Sequence, residues 1–313
     1  MSFLNSIWSY IQDILIYIIQ QSKPPYHVQP PAPVPGGQPV ANKVTQLTDL
    51  ILNYNAPFKT TWPPVTGTQP NAEIHKITEV TALAMANKIL EHANLVHNDF
   101  EYLSACIMQE SRFDPACYNH NLKEYNGKES FEGTDWGCCQ LSGYYLPSKP
   151  GMKGLTEAQM IAKATSPEWA VPTMAQVMAE NLNTANNDIA NATVKLAALK
   201  VKLDGLGLLT TSASVSATSG PALSVQKETD ANLINVLKRT NNTSLSDPQF
   251  MATLYYNRGA TGGLILLLAE DRTGIQHAFS VGKWYAQFVA AFSTSTTKTF
   301  GTPHEPFAEH SLR

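Results

Sequence analysis

The sequence has few charged residues and only a small excess of acidic over basic side chains. Asp, Glu, Lys and Arg make up 15% of its 313 residues, against about 25% in an average soluble protein. The formal net charge is −3, so there is no basic surplus that would bind nucleic acid or an anionic polymer by charge. We therefore expect no nucleic-acid partner, and an anionic substrate must be reached by something other than charge.

Metal-binding patterns are also missing. The four cysteines, Cys106, Cys117, Cys138 and Cys139, include no CxxC pair, which argues against a zinc site. Buried free thiols fit this pattern, since cysteine is a small hydrophobe, and a disulfide that involves Cys117 is the alternative. The histidines that show no metal-ligand spacing, and that we interpret as separate core or surface residues, are His75, His92, His97 and His120. We expect no metal and no cofactor.

The apolar stretch near the start is too interrupted for a clear membrane span. Asn5, Gln12 and Asp13 break the run at residues 3–20, which falls short of about 20 clean residues. No basic segment precedes it and no small-residue cleavage site follows it, which argues against a secretory signal peptide. Its apolar residues recur at helical spacing, so we expect residues 1–22 to form an anchor helix that packs on a partner protein or contacts a membrane. A core helix of the same domain is the alternative.

Proline dominates the next segment. Residues 23–39, KPPYHVQPPAPVPGGQP, favour an extended spacer. A short amphipathic helix follows at 43–55, and a second proline-containing loop follows at 56–71. We therefore interpret residues 23–73 as a Pro-rich linker that carries one short helix.

Helical spacing of apolar residues dominates the remaining sequence, and period-two strand patterns are weak. This predicts a mainly α-helical domain at residues 74–270, followed by a C-terminal helix and tail at 271–313. A long helix near 174–203 and a loop rich in Ser and Thr at 205–222 fall within a predicted insertion at about 170–240.

One carboxylate stands in an unusual setting. Leu103, Ile107 and Glu110 are four and three residues apart, so they share one face of an otherwise apolar helix. Asn98 or Asp99 would cap the start of this helix. Burial and the negative end of a helix dipole both favour the neutral form of a carboxyl group, which general-acid chemistry requires. Glu110 is therefore a candidate catalytic acid, and a rim glutamate is the alternative.

Three motifs follow one another along the chain. They are residues 110–115, ESRFDP; residues 133–141, GTDWGCCQL; and residues 255–259, YYNRG. Together they resemble the soluble lytic transglycosylase family of the lysozyme-like superfamily, in which ES-x-F-x-P, G-x-x-Q-type and Y-N-x-G motifs occur in this order. The resemblance covers roughly residues 75–262. It implies a goose-type, lysozyme-like helical fold, here with a long helical insertion and a tethered N-terminal helix.

The resemblance also implies roles for the residues around the acid. Glu110 would act as acid and then as base, and Tyr256 would orient it by a hydrogen bond. Ser111 would help to position Glu110 or the acetamido group of the substrate. A half-buried core tyrosine is the alternative for Tyr256.

Three further motif residues would form the sugar subsites. Gln140 and Asn257 would line them, and Gly137 would let the backbone approach the sugar closely. A surface amide is the alternative for Gln140.

Asp135 departs from the transglycosylase pattern, which usually has a small uncharged residue there. The segment resembles the TDYG-x-x-Q segment of animal-type lysozymes, whose aspartate is the second catalytic carboxylate. One carboxylate suffices for a transglycosylase, whereas two permit hydrolysis. An aspartate that only caps or closes a turn is the alternative.

The combined prediction is a lytic transglycosylase that cleaves the β-1,4 bond between MurNAc and GlcNAc in peptidoglycan. The low charge, the tethered apolar helix and the Ser/Thr-rich insertion indicate a component of a larger assembly. We expect a phage virion protein of the tail or ejected kind, which degrades the cell wall locally in the host envelope during genome ejection and contacts other virion proteins. The alternatives are a lysozyme-type muramidase that uses Glu110 and Asp135, a transglycosylase of a secretion or conjugation apparatus, and a structural virion protein with a degenerate lysozyme-like fold.

Overall fold

The computed structural model describes residues 40–55, 58–60, 72–120, 129–205, 233–268 and 275–293. The predicted N-terminal helix, most of the Pro-rich segment, the Ser/Thr-rich loop and the C-terminal tail lie outside these residues. The helices are α1 (Val40–Tyr54), α2 (Glu79–His92), α3 (Phe100–Ser111), α4 (Glu157–Ala164), α5 (Pro167–Ala190), α6 (Ala192–Gly205), α7 (Leu233–Thr240), α8 (Asp247–Leu268) and α9 (Gln276–Ser293). The strands are β1 (Phe58–Thr60), β2 (Ala72–Ile74), β3 (Tyr118–His120), β4 (Thr134–Trp136) and β5 (Leu141–Ser142).

The predicted helical class is confirmed, and local capping signals mark several helix starts. Thr78 caps α2 and accepts a hydrogen bond from the amide of Thr81. Asp99, one of the two predicted candidates, caps α3 through the amide of Tyr102. Thr156 and Gln159 form a reciprocal capping box at α4. Each cap satisfies an amide that has no partner within its helix.

α3 is the central helix of the molecule. Every residue from 102 to 108 is buried, which is typical of a helix enclosed on all sides. α9 packs along α3, and α5 packs against both α2 and α8. These contacts place the C-terminal end of α3, where Glu110 lies, between elements that are distant in sequence.

The core extends beyond both ends of the predicted domain. Leu47, Leu50 and Ile51 of α1 are buried in the same cluster as α3, although the sequence analysis placed this helix in the linker. Val281 and Phe288 of α9 are also fully buried there. The described body therefore includes α1 and α9, because their buried residues belong to the same cluster as those of α3.

The predicted long helix is interrupted. α5 ends at Ala190, Asn191 leaves helical geometry, and a separate helix, α6, follows. The buried Asp188 accepts a hydrogen bond from the Tyr255 hydroxyl at 3.0 Å and pairs with the Lys195 ammonium at 2.9 Å. α5 lies in the core beside α8, so this part of the predicted insertion belongs to the main body.

Short antiparallel strands complete the fold. β1 pairs with β2, and β3, β4 and β5 form a three-stranded sheet with β4 in the centre. None is longer than three residues, too short to produce the alternation by which strands are recognised in a sequence. Among the described helices, none is both long and apolar enough to cross a membrane.

Candidate active site

Glu110 is the penultimate residue of α3, and its side chain is 12% exposed. Leu103 and Ile107 on the same face are fully buried, as their spacing predicts. The helix stops directly after Ser111, because Arg112 and Phe113 both adopt left-handed backbone conformations (φ 52° and 65°). Such conformations are costly for residues with a Cβ and cluster at functional sites. The carboxylate thus lies at the end of a buried helix and retains access to solvent.

A histidine that the sequence analysis did not single out pairs with this carboxylate. His277 lies in the first turn of α9, and its Nε2 is 3.1 Å from Oε1 of Glu110. Its side chain is 16% exposed. Glu110 Oε2 makes no hydrogen bond or ion pair to any other residue that the structure describes. One carboxylate oxygen therefore faces the imidazole, while the other has no partner among the described residues.

The second motif forms a loop that two hydroxyl groups bind to the helices on either side. The Ser111 hydroxyl donates to the carbonyl of Cys138 at 2.7 Å, and the Tyr256 hydroxyl donates to the carbonyl of Cys139 at 2.5 Å. Ser111 belongs to α3 and Tyr256 to α8. The loop that follows β4 is thereby fixed next to Glu110 from both sides.

The predicted hydrogen bond from Tyr256 to Glu110 is replaced by the bond to Cys139. A phenol has one proton to donate, and the carbonyl of Cys139 receives it. Burial raises the pKa of Tyr256 well above its usual value, and the negative charges of Glu110 and Asp135 contribute further. Both carboxylates therefore lie within electrostatic range of this hydroxyl, so Tyr256 joins the site without touching Glu110 by a hydrogen bond.

Ser111 acts on the protein rather than on a ligand in this structure. Its side chain is buried and its proton is used by the Cys138 carbonyl. The predicted contact with an acetamido group would require that bond to break. The hydroxyl instead positions Glu110 indirectly, by joining the last residue of α3 to the loop.

Gly137 and Gln140 shape the loop in a way that differs from their predicted subsite roles. Gly137 has φ +76°, and a Cβ there would lie 2.0 Å from the carbonyl oxygen of Ala164, so the close approach is to α4. The Gln140 amide donates to the carbonyls of Gly137 (2.8 Å) and Cys117 (3.3 Å). Both residues therefore stabilise the loop, and only the carbonyl end of the Gln140 side chain remains for a sugar.

Asp135 is the middle residue of β4, in register with Asn119 on β3 and Ser142 on β5. It is half-buried and lies within a strand, so it does not close a turn. Because side chains alternate along a strand, Asp135, Asn119 and Ser142 share one face of the sheet. The charge of Asp135 contributes to the raised pKa of Tyr256, so this carboxylate lies within electrostatic range of the phenol.

The third motif ends the first part of α8 as predicted. Gly259 has non-helical angles (φ 67°, ψ 162°) and kinks the helix, which then continues to Leu268. A Cβ at Gly259 would meet no atom within 4 Å. Glycine is therefore favoured here by the positive φ angle and not by a lack of space for a side chain. Asn257 precedes this kink and is exposed, as a ligand-binding residue must be.

Free thiols surround the carboxylate. All four cysteines are free and buried, which confirms the free-thiol interpretation over a disulfide. Burial raises the pKa of Cys117 to about 12, with further contributions from the charges of Asp114 and Glu110. Burial likewise raises the pKa values of Cys106 and Cys139 well above the usual range, and the charge of Glu110 adds to both. Cys106, Cys117 and Cys139 therefore favour the neutral thiol, which is a poor nucleophile.

Asp114, in the first motif, binds a second histidine. Its carboxylate is 1% exposed and accepts hydrogen bonds from the amides of His75 and Ala116, both at 2.8 Å. The Nδ1 atom of the His75 ring also lies 2.8 Å from it. This network joins the end of β2 to the turn after α3, so His75 supports the site from outside.

Within the described residues, no group of three His, Cys, Asp or Glu side chains could hold a metal ion.

The His277 pairing had no counterpart in the sequence pattern. The residue lies in the segment that the sequence analysis assigned to the C-terminal helix and tail, far in sequence from all three motifs. Its neighbours Ala278 and Val281 are buried in the core, so helical spacing could have predicted that α9 packs, but not on what. Only the docking of α9 on α3 brings the imidazole to Glu110.

No protein-family model matches this sequence, and no curated protein or solved structure is detectably similar to it.

Proposed function

We propose that this protein is a peptidoglycan lytic transglycosylase that cleaves the β-1,4 bond between MurNAc and GlcNAc with Glu110 as its acid and base. The observation that carries the proposal is the position of Glu110. It lies at the end of a buried helix, it is 12% exposed, and one of its oxygens lies 3.1 Å from Nε2 of His277. The three motifs that resemble the transglycosylase family meet around it, through the bonds of Ser111 and Tyr256 to one loop.

The surroundings of Glu110 suit proton transfer rather than nucleophilic catalysis. The nearby thiols and the Tyr256 phenol are held neutral by burial. In the proposed reaction Glu110 donates a proton to the leaving glycosidic oxygen while the N-acetyl group assists at the anomeric carbon. The C6 hydroxyl of the same muramic acid then attacks that carbon, and Glu110 takes up its proton. The product is a 1,6-anhydromuramic end, and no water is consumed.

A lysozyme-type muramidase is the second candidate, and Asp135 favours it. Asp135 lies on the polar face of β4, and its charge and that of Glu110 both reach Tyr256. In a two-carboxylate reaction, Glu110 would protonate the leaving oxygen and Asp135 would act at the anomeric carbon, so that water completes hydrolysis. The two candidates share the acid and differ in the role of Asp135.

The first experiment tests the acid. The Glu110→Gln variant should lose at least about 100-fold of its wall-clearing activity in a zymogram, because the amide cannot donate the proton. Glu101→Gln is the matched control, since Glu101 lies on the same helix about 13 Å away by helical rise. It should clear as the wild type does. Equal clearing by the wild type and Glu110→Gln would overturn the proposal.

The second experiment separates the two reactions. Mass analysis of the released muropeptides should give the anhydro form, which is lighter by one water than the hydrolysis product. Asp135→Asn should reduce this activity by less than about 10-fold if one carboxylate suffices. Mainly reducing-end muramic acid, together with a far larger loss in Asp135→Asn, would instead establish the muramidase.

The biological setting is a further part of the proposal. A phage virion protein of the tail or ejected kind, acting on the host cell wall during genome ejection, fits the low charge and the apolar N-terminal segment. A structural virion protein with an inactive site and a transglycosylase of a secretion or conjugation apparatus are the other settings. The identity of the neighbouring genes distinguishes them, since tail or portal genes support the first and secretion genes overturn it.

A further inference from the structure

Two helices that are distant in sequence bring an imidazole close to the proposed acid. α9 packs along α3, and the contact is specific as well as apolar. The Trp284 indole donates to Oε1 of Gln109 at 3.3 Å, and the Tyr285 hydroxyl donates to Oδ2 of Asp99 at 3.0 Å. Gln109 directly precedes Glu110, so the hydrogen bonds that dock α9 also fix where the His277 ring meets the carboxylate.

The chemistry around Glu110 makes His277 distinct from the other neighbours. Cys106, Cys117, Cys139 and Tyr256 lie near enough for the charge of Glu110 to raise their pKa values, and each is a neutral group at pH 7. Asp135, Asp114 and Asp99 are the nearby anions, each of which reaches one of these groups. His277 is the described neighbour that can both donate a hydrogen bond to the carboxylate and carry positive charge.

We propose that His277 is a positioning residue that binds Oε1 of Glu110 through Nε2 and leaves Oε2 to exchange the proton with the glycan. This inference rests on the proposed function. A carboxylate at a helix end can rotate about its terminal bond, and the 3.1 Å contact with the imidazole restrains that rotation. A protonated imidazole at this distance also stabilises the carboxylate after it has given its proton away. This orienting role is the one that the sequence analysis expected of Tyr256.

The test compares two replacements of His277 in the full chain. In His277→Gln the amide nitrogen can reach the place of Nε2 and donate to Oε1, whereas His277→Phe keeps the ring volume and has no donor. We expect His277→Phe to lower kcat roughly 10- to 100-fold with KM changed by less than about twofold, as misplacement of a catalytic group does. His277→Gln should recover most of the lost kcat. A purely structural role would not separate these two variants.

His92→Phe is the matched control. His92 is also a partly buried histidine near a glutamate, with 3.7 Å between its Nε2 and Oε1 of Glu91, but it lies on α2 away from the motifs. It should keep wild-type kcat. Full activity in His277→Phe, or a loss in His277→Gln as large as that in His277→Phe, would overturn the inference.

A spectroscopic measurement keeps this inference separable from the proposed function. The ¹⁵N chemical shifts of the His277 ring report its protonation and its interaction with a nearby carboxylate, so they should change in Glu110→Gln and stay unchanged in Glu101→Gln. If the shifts respond but no variant or wild type cleaves peptidoglycan, the pair exists and the proposed function fails. If the wild type cleaves peptidoglycan and the His277 shifts do not change in Glu110→Gln, the positioning role is wrong and the proposed function is unaffected.

Discussion

At the scale of single residues, the site depends on hydroxyl groups that bind main-chain carbonyls. Ser111 and Tyr256 donate to consecutive carbonyls of one loop. The carbonyl of Cys139 belongs to a fully buried residue, so it has no access to water as a substitute donor. Such a carbonyl is costly to leave without a partner.

Removal of the Tyr256 hydroxyl should therefore weaken both the fold and the reaction. We expect Tyr256→Phe to lower the free energy of unfolding by about 1–3 kcal/mol, because the Cys139 carbonyl loses its donor. Clearing of peptidoglycan should fall as well, because the loop beside Glu110 loosens. Urea unfolding and zymograms measure the two effects.

Tyr144→Phe is the control for this prediction, since Tyr144 is 38% exposed. Its unfolding free energy should stay within about 0.5 kcal/mol of the wild type, as is usual for surface changes. If Tyr256→Phe is as stable as this control, the bond to Cys139 contributes nothing.

At the scale of elements, the loop after β4 is fitted closely to α4. Gly137 is a good probe of this fit because two requirements coincide there, a positive φ and contact with the Ala164 carbonyl. Gly154 shares only the first requirement, since it has φ +83° and a Cβ there would meet no atom within 4 Å. The two glycines thus separate conformational strain from steric conflict.

We expect Gly137→Ala to be much more harmful than Gly154→Ala. Both variants carry the cost of a left-handed alanine, roughly 1–2 kcal/mol. Gly137→Ala must also displace the end of α4 or the loop, which should bring its total to about 3 kcal/mol or more. Chemical denaturation compares the two, and similar losses would show that the loop can move away from α4.

The same elements show what the sequence could and could not predict. Asp99 was one of the two cap candidates that the sequence analysis offered for α3, because capping depends on residues within one turn. The burial of Leu103 and Ile107 beside Glu110 followed from helical spacing for the same reason. Neither the strand that carries Asp135 nor the partner of Tyr256 was predicted, because the strand is only three residues long and the Tyr256 bond joins residues that are distant in sequence.

At the scale of the whole molecule, one core joins helices from both ends of the described chain. α1 contributes Leu47 and Ile51, both fully buried, and α9 contributes Phe288. The Tyr54 and Phe288 rings meet edge-on at 5.4 Å, and Phe288 also contacts Phe113, next to the first motif. The sequence analysis drew its domain boundary at residue 74 because the proline-containing loop separates α1 from the motifs along the chain. In the folded protein α1 nevertheless packs in the same core as the motif-bearing helices.

This arrangement predicts opposite results for two deletions that differ by one helix. A chain that lacks residues 1–39 keeps every described core contact, so it should fold with a thermal midpoint within a few degrees of the full chain and should clear peptidoglycan in solution.

A chain that lacks residues 1–55 loses α1. Truncation of a single buried leucine or isoleucine to alanine lowers the free energy of unfolding by about 2–5 kcal/mol. This deletion removes Leu47, Leu50 and Ile51 together. That loss approaches the entire stability of an average domain, so the second chain should be unfolded or aggregated, as circular dichroism and gel filtration would reveal. A stable, active chain without residues 1–55 would place the boundary at residue 74 after all, and would assign α1 to the linker.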